Sequence, residues 1–499
     1  MDRRLFGREF SGSVGTAMSF SVDSISFHTR WMQTRFPFKY GIAAMTKLPH
    51  VFVSVEARLG GIFCGGLASE GLPPKWFTKD PATRFEDDLP EMLHVIEHAA
   101  DLVTGTSHGT VFAAWKFLYD EQDRWAAEGD EGYPPLLAHL GTALIERALI
   151  DAFCRGAGLS FAQAVHQNAL GIDLGVIHEE LEGSEPADWL AEPVDSIIAR
   201  HTVGLGDPLR AGEIAPDERI GDGLPHALVD AAKRYGLTHF KIKVCGNLDA
   251  DIPRLKEVAA ILHEVSPGFK FTLDGNEQYR DIATFRAHWE AYRSESDLCA
   301  MLDGGGLLFV EQPLHRDVAL AESVRGELAA WSEAPPMIID ESDGEIDCMR
   351  RALALGYRGT SHKNCKGVIK GIANRCLIEW YRRNRSDDGP WLMSGEDLAN
   401  VGPVALLNDL AVMAVLGIED VERNGHHYFA GLGMFPDELQ AMVCERHPDL
   451  YAMRPEGYAS LVIEEGKLST RSLGAAPFGH GLETIPVVLE LLGKAGLPD

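Results

Sequence analysis

A chain of 499 residues, 45% apolar and 24% charged, has enough material for more than one domain around a large core. It excludes a disordered, collagen-like or disulfide-dense protein. Its 46 basic and 74 acidic side chains leave a formal net charge of −28, which argues against a nucleic-acid partner or docking on an anionic membrane. It does not exclude a small anionic substrate, because one metal ion inverts the local field of an acidic site.

The N-terminus, MDRRLFGREFSGSVGTAMSF, lacks the apolar stretch of a signal peptide, and no run of about 18 apolar residues follows, so a cytoplasmic location is expected. The eight cysteines (Cys64, Cys154, Cys245, Cys299, Cys348, Cys365, Cys376 and Cys444) are scattered without a Cys-x-x-Cys pair. That pattern fits reduced thiols better than a disulfide frame or a structural zinc site. Residues 52–57, within VFVSVEA, alternate as a strand, and Gly60-Gly61 follows as a turn. The Pro-rich stretch at 71–75, with Trp76 and Phe77, reads as a surface loop. Residues 89–104 and 141–155 read as helices, the second with one mainly apolar face. Segments 105–135 and 179–195 read as insertions or linkers.

From about Ala199 short apolar runs alternate with helical stretches. Strands are predicted at 202–205, 239–244, 269–273, 307–310, 337–339, 359–362, 391–393 and near 427–429. The clearest helices between them are at 249–263, 282–292, 345–355 and 371–383. Eight strand–helix units in about 250 residues predict an α/β protein with a (β/α)8-type barrel. The expected division is an N-terminal α+β capping domain at 1–195, the barrel at 196–430 and a C-terminal segment at 431–499 that completes barrel and cap.

Charged residues follow these apolar runs. The second strand ends Lys241-Ile242-Lys243, the third Asp274-Gly275-Asn276 and the fourth Glu311-Gln312-Pro313. The fifth ends Asp340-Glu341-Ser342 and the sixth Ser361-His362-Lys363. In a barrel all strand C-termini share one face, so these residues converge. Asp274, Glu311 and Asp340 would repel one another there unless a divalent cation joined them, and an all-oxygen set suits Mg2+ better than zinc. Helix capping explains any one of the three but not all three on consecutive strands. Lys241 and Lys243, two apart, leave the same face of their strand. Lys363 is on the opposite side of the ring, so Lys243 and Lys363 flank the metal as two bases. Neighbouring positive charge is expected to lower the lysine pKa, while a structural ion pair is the plainer reading of Lys241. A metal that binds both oxygens of an ene-diolate stabilises the charge left when a proton α to a carboxylate departs.

Lys-x-Lys, Asp-x-Asn, Glu-Gln-Pro, Asp-Glu-Ser and a sixth-strand lysine, in this order and spacing, resemble the enolase superfamily and its muconate-lactonizing and mandelate-racemase-like branch. The resemblance covers residues 202–429. It implies one Mg2+ (Mn2+ as alternative) on Asp274, Glu311 and Asp340, with Lys243 and Lys363 as the acid/base pair. Lys241 would contact the substrate carboxylate or tune Lys243, and Asn276, Gln312 and Glu341 would support the ligands. It also implies a capping domain that closes the site, a small carboxylate substrate and a homo-oligomer. The sixth-strand segment Lys363-Asn364-Cys365-Lys366-Gly367 departs from the family pattern in having one glycine, not two.

Glu396, at the seventh strand end, is a candidate to bond substrate or hold a lysine, with a helix-start acid equally open. His426 and His427 read as ligands or, more commonly, as structural histidines. Arg30, Arg35, Lys75 and Trp76 read as cap-loop residues that could read the distal substrate, with exposed-loop residues of no specific role as the safer reading. The leading expectation is a racemase, epimerase or cycloisomerase. A dehydratase acting on an acid sugar and a non-catalytic binding protein are the alternatives. A metal-dependent hydrolase is disfavoured for want of histidine ligands before the eighth strand.

Overall fold

The computed structural model describes residues 19–129, 132–482, 485–492 and 495–498. Most of the N-terminal segment read above for a signal stretch lies outside them. Strands β1 (Phe20–Tyr40), β2 (Ala43–Leu59), β3 (Ile62–Gly71) and the two-residue β4 (Ser107–His108) form an antiparallel sheet in the order β3-β2-β1-β4. The predicted turn joins β2 to β3, with Gly60 and Gly61 at φ +58° and +84°. The alternation expected for residues 52–57 is only partly realised, because residues 48–55 are buried on both faces of β2.

Three helices cover the sheet: α1 (Phe85–Val103), α2 (Val111–Glu128) and α3 (Pro135–Ala157). Segment 105–135 therefore supplies α2 to this layer and is not a mere insertion. The single apolar face expected of α3 is also corrected, since every residue from Leu136 to Cys154 is buried. The helix lies between β2 and β3 on one side and α1 and α2 on the other. Its charges have partners: Arg147 pairs with Glu70 at 3.0 Å, and Asp151 accepts from Arg155 at 2.8 Å and from the Leu67 N–H at 2.9 Å. The stretch at 71–75 is not a surface loop. Leu72, Trp76 and Phe77 are buried, and Arg316 of the barrel donates to the Trp76 and Phe77 carbonyls at 2.9 Å each.

The second layer is a closed parallel barrel. Its strands are β5 (Ser196–Val203), β6 (His239–Lys243), β7 (Lys270–Asp274), β8 (Leu307–Glu311), β9 (Met337–Ile338), β10 (Gly359–His362), β11 (Leu392–Gly395) and β12 (Asp420–Arg423). They run in sequence order around the ring, with β12 beside β5. An Ile339–Thr360 bridge closes β9 on β10. Two expectations shift. The first strand begins at Ser196, not at 202. The eighth is Asp420–Arg423, whereas His427 lies in a helical turn, Gly425–Tyr428. The sequence DVER has no apolar run to announce it, because Glu422 and Arg423 are buried by pairing with other charges.

The C-terminal segment returns to both layers. After the β13 (Tyr451–Met453) and β14 (Ala459–Leu461) hairpin, β15 (Lys467–Ser469) pairs antiparallel with the start of β5. The Gly496 N–H then bonds the Phe27 carbonyl of β1 at 2.7 Å. Among the described residues no helix is long and apolar enough to cross a membrane.

The seating of α3 on β3 is tight enough to test. A Cβ at Gly66 would lie 2.1 Å from the Ala148 carbonyl oxygen. Gly66→Ala should therefore cost about 1–3 kcal/mol, read as a lower denaturation midpoint. An unchanged midpoint would mean that sheet and helix are not in contact there.

Candidate active site

The chain HFKIK alternates, so Phe240 and Ile242 pack outward while Lys241 and Lys243 enter the barrel, where they are 2% and 6% exposed. Asp274 lies in register with Lys243 on one side and with Glu311 on the other. Asp340, Lys363 and Glu396 follow the ends of β9, β10 and β11, and Glu422 lies within β12. All these side chains are buried.

Lys241 is the hub. Its Nζ lies 3.0 Å from Asp274, 2.9 Å from Glu311, 2.9 Å from Glu396 and 2.8 Å from Glu422. This is the ion-pair arrangement, extended to four partners. Lys243 donates to Asp274 at 2.8 Å and to Asn276 Oδ1 at 3.0 Å. Across the ring, Lys363 donates to Asp340 at 2.6 Å and to Glu396 at 2.7 Å. Lys243 and Lys363 thus stand on opposite sides of one carboxylate cluster. Lys366, from the departing sixth-strand motif, donates to Asp340 Oδ1 at 3.0 Å, and Gly367 turns with φ +106°. Asn276 donates from its backbone to Asp274 at 2.8 Å. Gln312 Oε1 accepts from the Asp340 N–H at 2.7 Å, fixing the loop after β9. Glu341 Oε2 is buried and has no hydrogen-bond partner among the described residues.

The electrostatics run against one expectation. Burial favours the neutral amine, but Asp274, Glu311, Glu396 and Glu422 outweigh it and hold the Lys241 pKa well above the ordinary value. The same balance, set by Asp340, Glu396 and Glu311, raises Lys363. Carboxylates, not neighbouring lysines, therefore decide these two pKa values. Glu396 is held well below the ordinary carboxylate range, burial being outweighed by Lys241 and Lys363. Glu311 is pushed well above it by burial and by Glu396.

A divalent cation has a donor set here. Oxygens of Glu311, Asp340 and Glu396 lie within 4.8 Å of one another, and Glu311 Oε2 is buried without a partner. These are hard oxygen ligands of the kind Mg2+ takes. Asp274 is not in that triangle, being drawn to Lys241, Lys243 and Asn276.

Several residues escaped the sequence reading. Arg200, on β5, donates to Ser394 at 2.6 Å and pairs with Glu396 and Asp420. Glu422 accepts from Thr202 and, at 3.0 Å, from Asn424. Correct placement of the first and eighth strands was the signal that would have found them. His426 bonds His201 at 3.1 Å, and both His201 and Phe36 pack against His427, so the histidine pair belongs to an aromatic cluster. Of the four cap residues, only Trp76 reaches the site, with its ring 5.3 Å from Lys363 Nζ. Arg30 and Arg35 are on β1, not in loops. Arg35 is clamped by Asp222 at 2.5 Å, Arg30 lies over Phe435, and Lys75 pairs with Asp88 at 2.7 Å.

Glu146 ties the cap to this site. Its carboxylate, on α3, accepts from the backbone N–H groups of Val368 and Ile369, at the start of the helix Val368–Asn384 that follows Lys363 and its turn.

No family model matches the chain, and no curated protein matches it in sequence. Solved structures do. The N-succinyl Arg/Lys racemase from Bacillus cereus is 15% identical, over 95% of this chain and 99% of that one, with a TM-score of 0.58. An enolase from Bradyrhizobium, complexed with magnesium and mandelic acid, is 16% identical over 95% and 98%, with a TM-score of 0.55. Muconate lactonizing enzyme from Pseudomonas fluorescens, complexed with muconolactone, is 18% identical over 90% and 94%, with a TM-score of 0.54. The chain therefore has the fold of the mandelate racemase and muconate lactonizing enzyme-like structures of the enolase superfamily.

Burial raises the Glu146 pKa from the ordinary 4.5 to about 7, against the pull of its two backbone bonds. A raised carboxyl pKa costs nothing below the unfolded value and destabilises progressively as pH rises toward the folded one. Glu146→Gln should match the parent at pH near 4.5 and exceed it by about 3 kcal/mol above pH 7, in denaturant titrations at both pH values. A difference independent of pH would remove the buried-acid account.

Proposed function

We propose that this chain is a divalent-metal-dependent isomerase or lyase that removes the proton α to the carboxylate of a small substrate. One observation carries the reading: Lys243 and Lys363 face each other across a buried carboxylate cluster linked through Lys241. Similar folds include a racemase, a lactonizing enzyme and a protein holding magnesium with mandelic acid, which supports the same chemistry here. All eight cysteines are free, in keeping with a cytoplasmic enzyme.

Glu311 and Asp340, with Asp274, would hold one Mg2+ or Mn2+. A bound cation stabilises the negative charge that grows on the substrate carboxylate as the proton leaves. Both oxygens of Asp274 and of Glu396 are already engaged, so Asp274 is preferred as third ligand for its strand-end Asp-x-Asn pattern, and Glu396 is assigned to Arg200, Lys241 and Lys363. Lys243 takes the proton from one face of the substrate, and Lys363 donates its own, different proton to the other; exchange of both amines with solvent resets the pair. Racemisation or epimerisation uses both lysines, and cycloisomerisation uses one. Trp76 and the cap exclude water from the exchange.

Calorimetric titration should show Mg2+ binding that Asp274→Asn and Glu311→Gln each weaken at least about tenfold. Full binding by Asp274→Asn together with a loss in Glu396→Gln would give the third position to Glu396. Lys243→Ala and Lys363→Ala should each slow α-proton exchange in D2O about a hundred- to ten-thousandfold while Mg2+ still binds. A rate that survives loss of both lysines would sink the mechanism.

A further inference from the structure

The cavity above the cluster, of about 50 Å3, has two unlike halves. Its floor is the set of lysines and carboxylates described above, with Asn276, Asp397 and Asn424 beside them. Its roof is Phe38, Tyr40, Met45, Pro73 and Trp76 from the cap, with Leu398 from the loop after β11. Among the described residues no charged side chain of the cap lines it. Three basic residues of the cap are engaged elsewhere: Arg35 by Asp222, Lys75 by Asp88, and Lys79 by the Asn276 carbonyl and Glu277. The Tyr40 hydroxyl donates to the Pro74 carbonyl at 2.7 Å, so it offers no free donor proton to the cavity.

Such a roof discriminates by what it cannot pair. A second carboxylate pressed against it would lose its water and gain no cation. A hydroxyl turned toward the roof would likewise be buried without a partner, and only one turned to the floor could reach Asn276 or Asn424. An apolar group gains by leaving water. We infer that the substrate carries a single carboxylate and presents to the cap an uncharged, apolar tail. This rests on the proton-abstraction reading only for setting the carboxylate on the floor. Met45 and Phe38 are then specificity-determining residues, at 1% and 5% exposure.

Binding tests this separately from turnover. The Mg2+-loaded, full-length protein is titrated with phenyl- and isobutyl-bearing 2-hydroxy acids, with succinate and tartrate, and with gluconate. The apolar monocarboxylates should bind at least about tenfold tighter than the other three. Equal or tighter binding of succinate, tartrate or gluconate, or binding of none of the acids, overturns the inference. Selective binding of the apolar acids without α-proton exchange in D2O upholds it and counts against proton abstraction instead. Met45→Lys should reverse the order in favour of tartrate. A cation in that wall can unfold the cap, so Met45→Ala is measured beside it and should admit a bulkier tail at least as well as the isobutyl acid. A bulkier acid that stays excluded from a folded Met45→Ala protein contradicts the assigned roof.

Discussion

One ammonium group holds together four carboxylates that would otherwise force the barrel mouth apart. Asp274, Glu311, Glu396 and Glu422 come from different strands and end within 3.0 Å of Lys241 Nζ. Burying so many like charges costs several kcal/mol per ion unless each finds a partner, and removing the central one would leave them unpaired. Lys363 and Arg200 share the load through Glu396, and Lys366 through Asp340. The result is a rigid, charge-dense floor at the one end of the barrel where all strands converge.

That floor needs a lid, and the cap supplies one through backbone as much as side-chain contacts. Arg316 reaches from the barrel to the carbonyls of Trp76 and Phe77, and Lys79 reaches from the cap to the Asn276 carbonyl. Glu146 binds the start of the helix beyond Lys363. The C-terminal segment pairs with β5 and then with β1, so one stretch of chain is stitched to both layers. A cap anchored at so many points sets the height and the apolar character of the roof over the charges. The contrast between the halves follows from this: charge is stable on the floor because it is paired, and the roof stays dry because its basic residues are bound elsewhere.

Much of this was legible in the chain order of residues. Period-two alternation placed Lys241 and Lys243 together, and apolar runs ending in charge marked β6 to β10, because a parallel strand buried on both faces reads as an apolar run. The residues Asp274, Glu311, Asp340 and Lys363 followed from that pattern alone. Tertiary structure decided the rest. Strand β12 carries one buried valine amid charges and is stable only because Lys241 of β6 and Asp397, just after the neighbouring β11, pair with them. Helix α3 is buried on every face, its charged residues included, only because sheet and helices enclose it. The bonding of Arg35 and Lys75 away from the cavity, and the gathering of Glu396 with Glu311 and Asp340, depend on partners far away in sequence. Local pattern reports which side of a strand faces inward. Which charge meets which, and which remains free for a ligand, is settled only when distant segments pack.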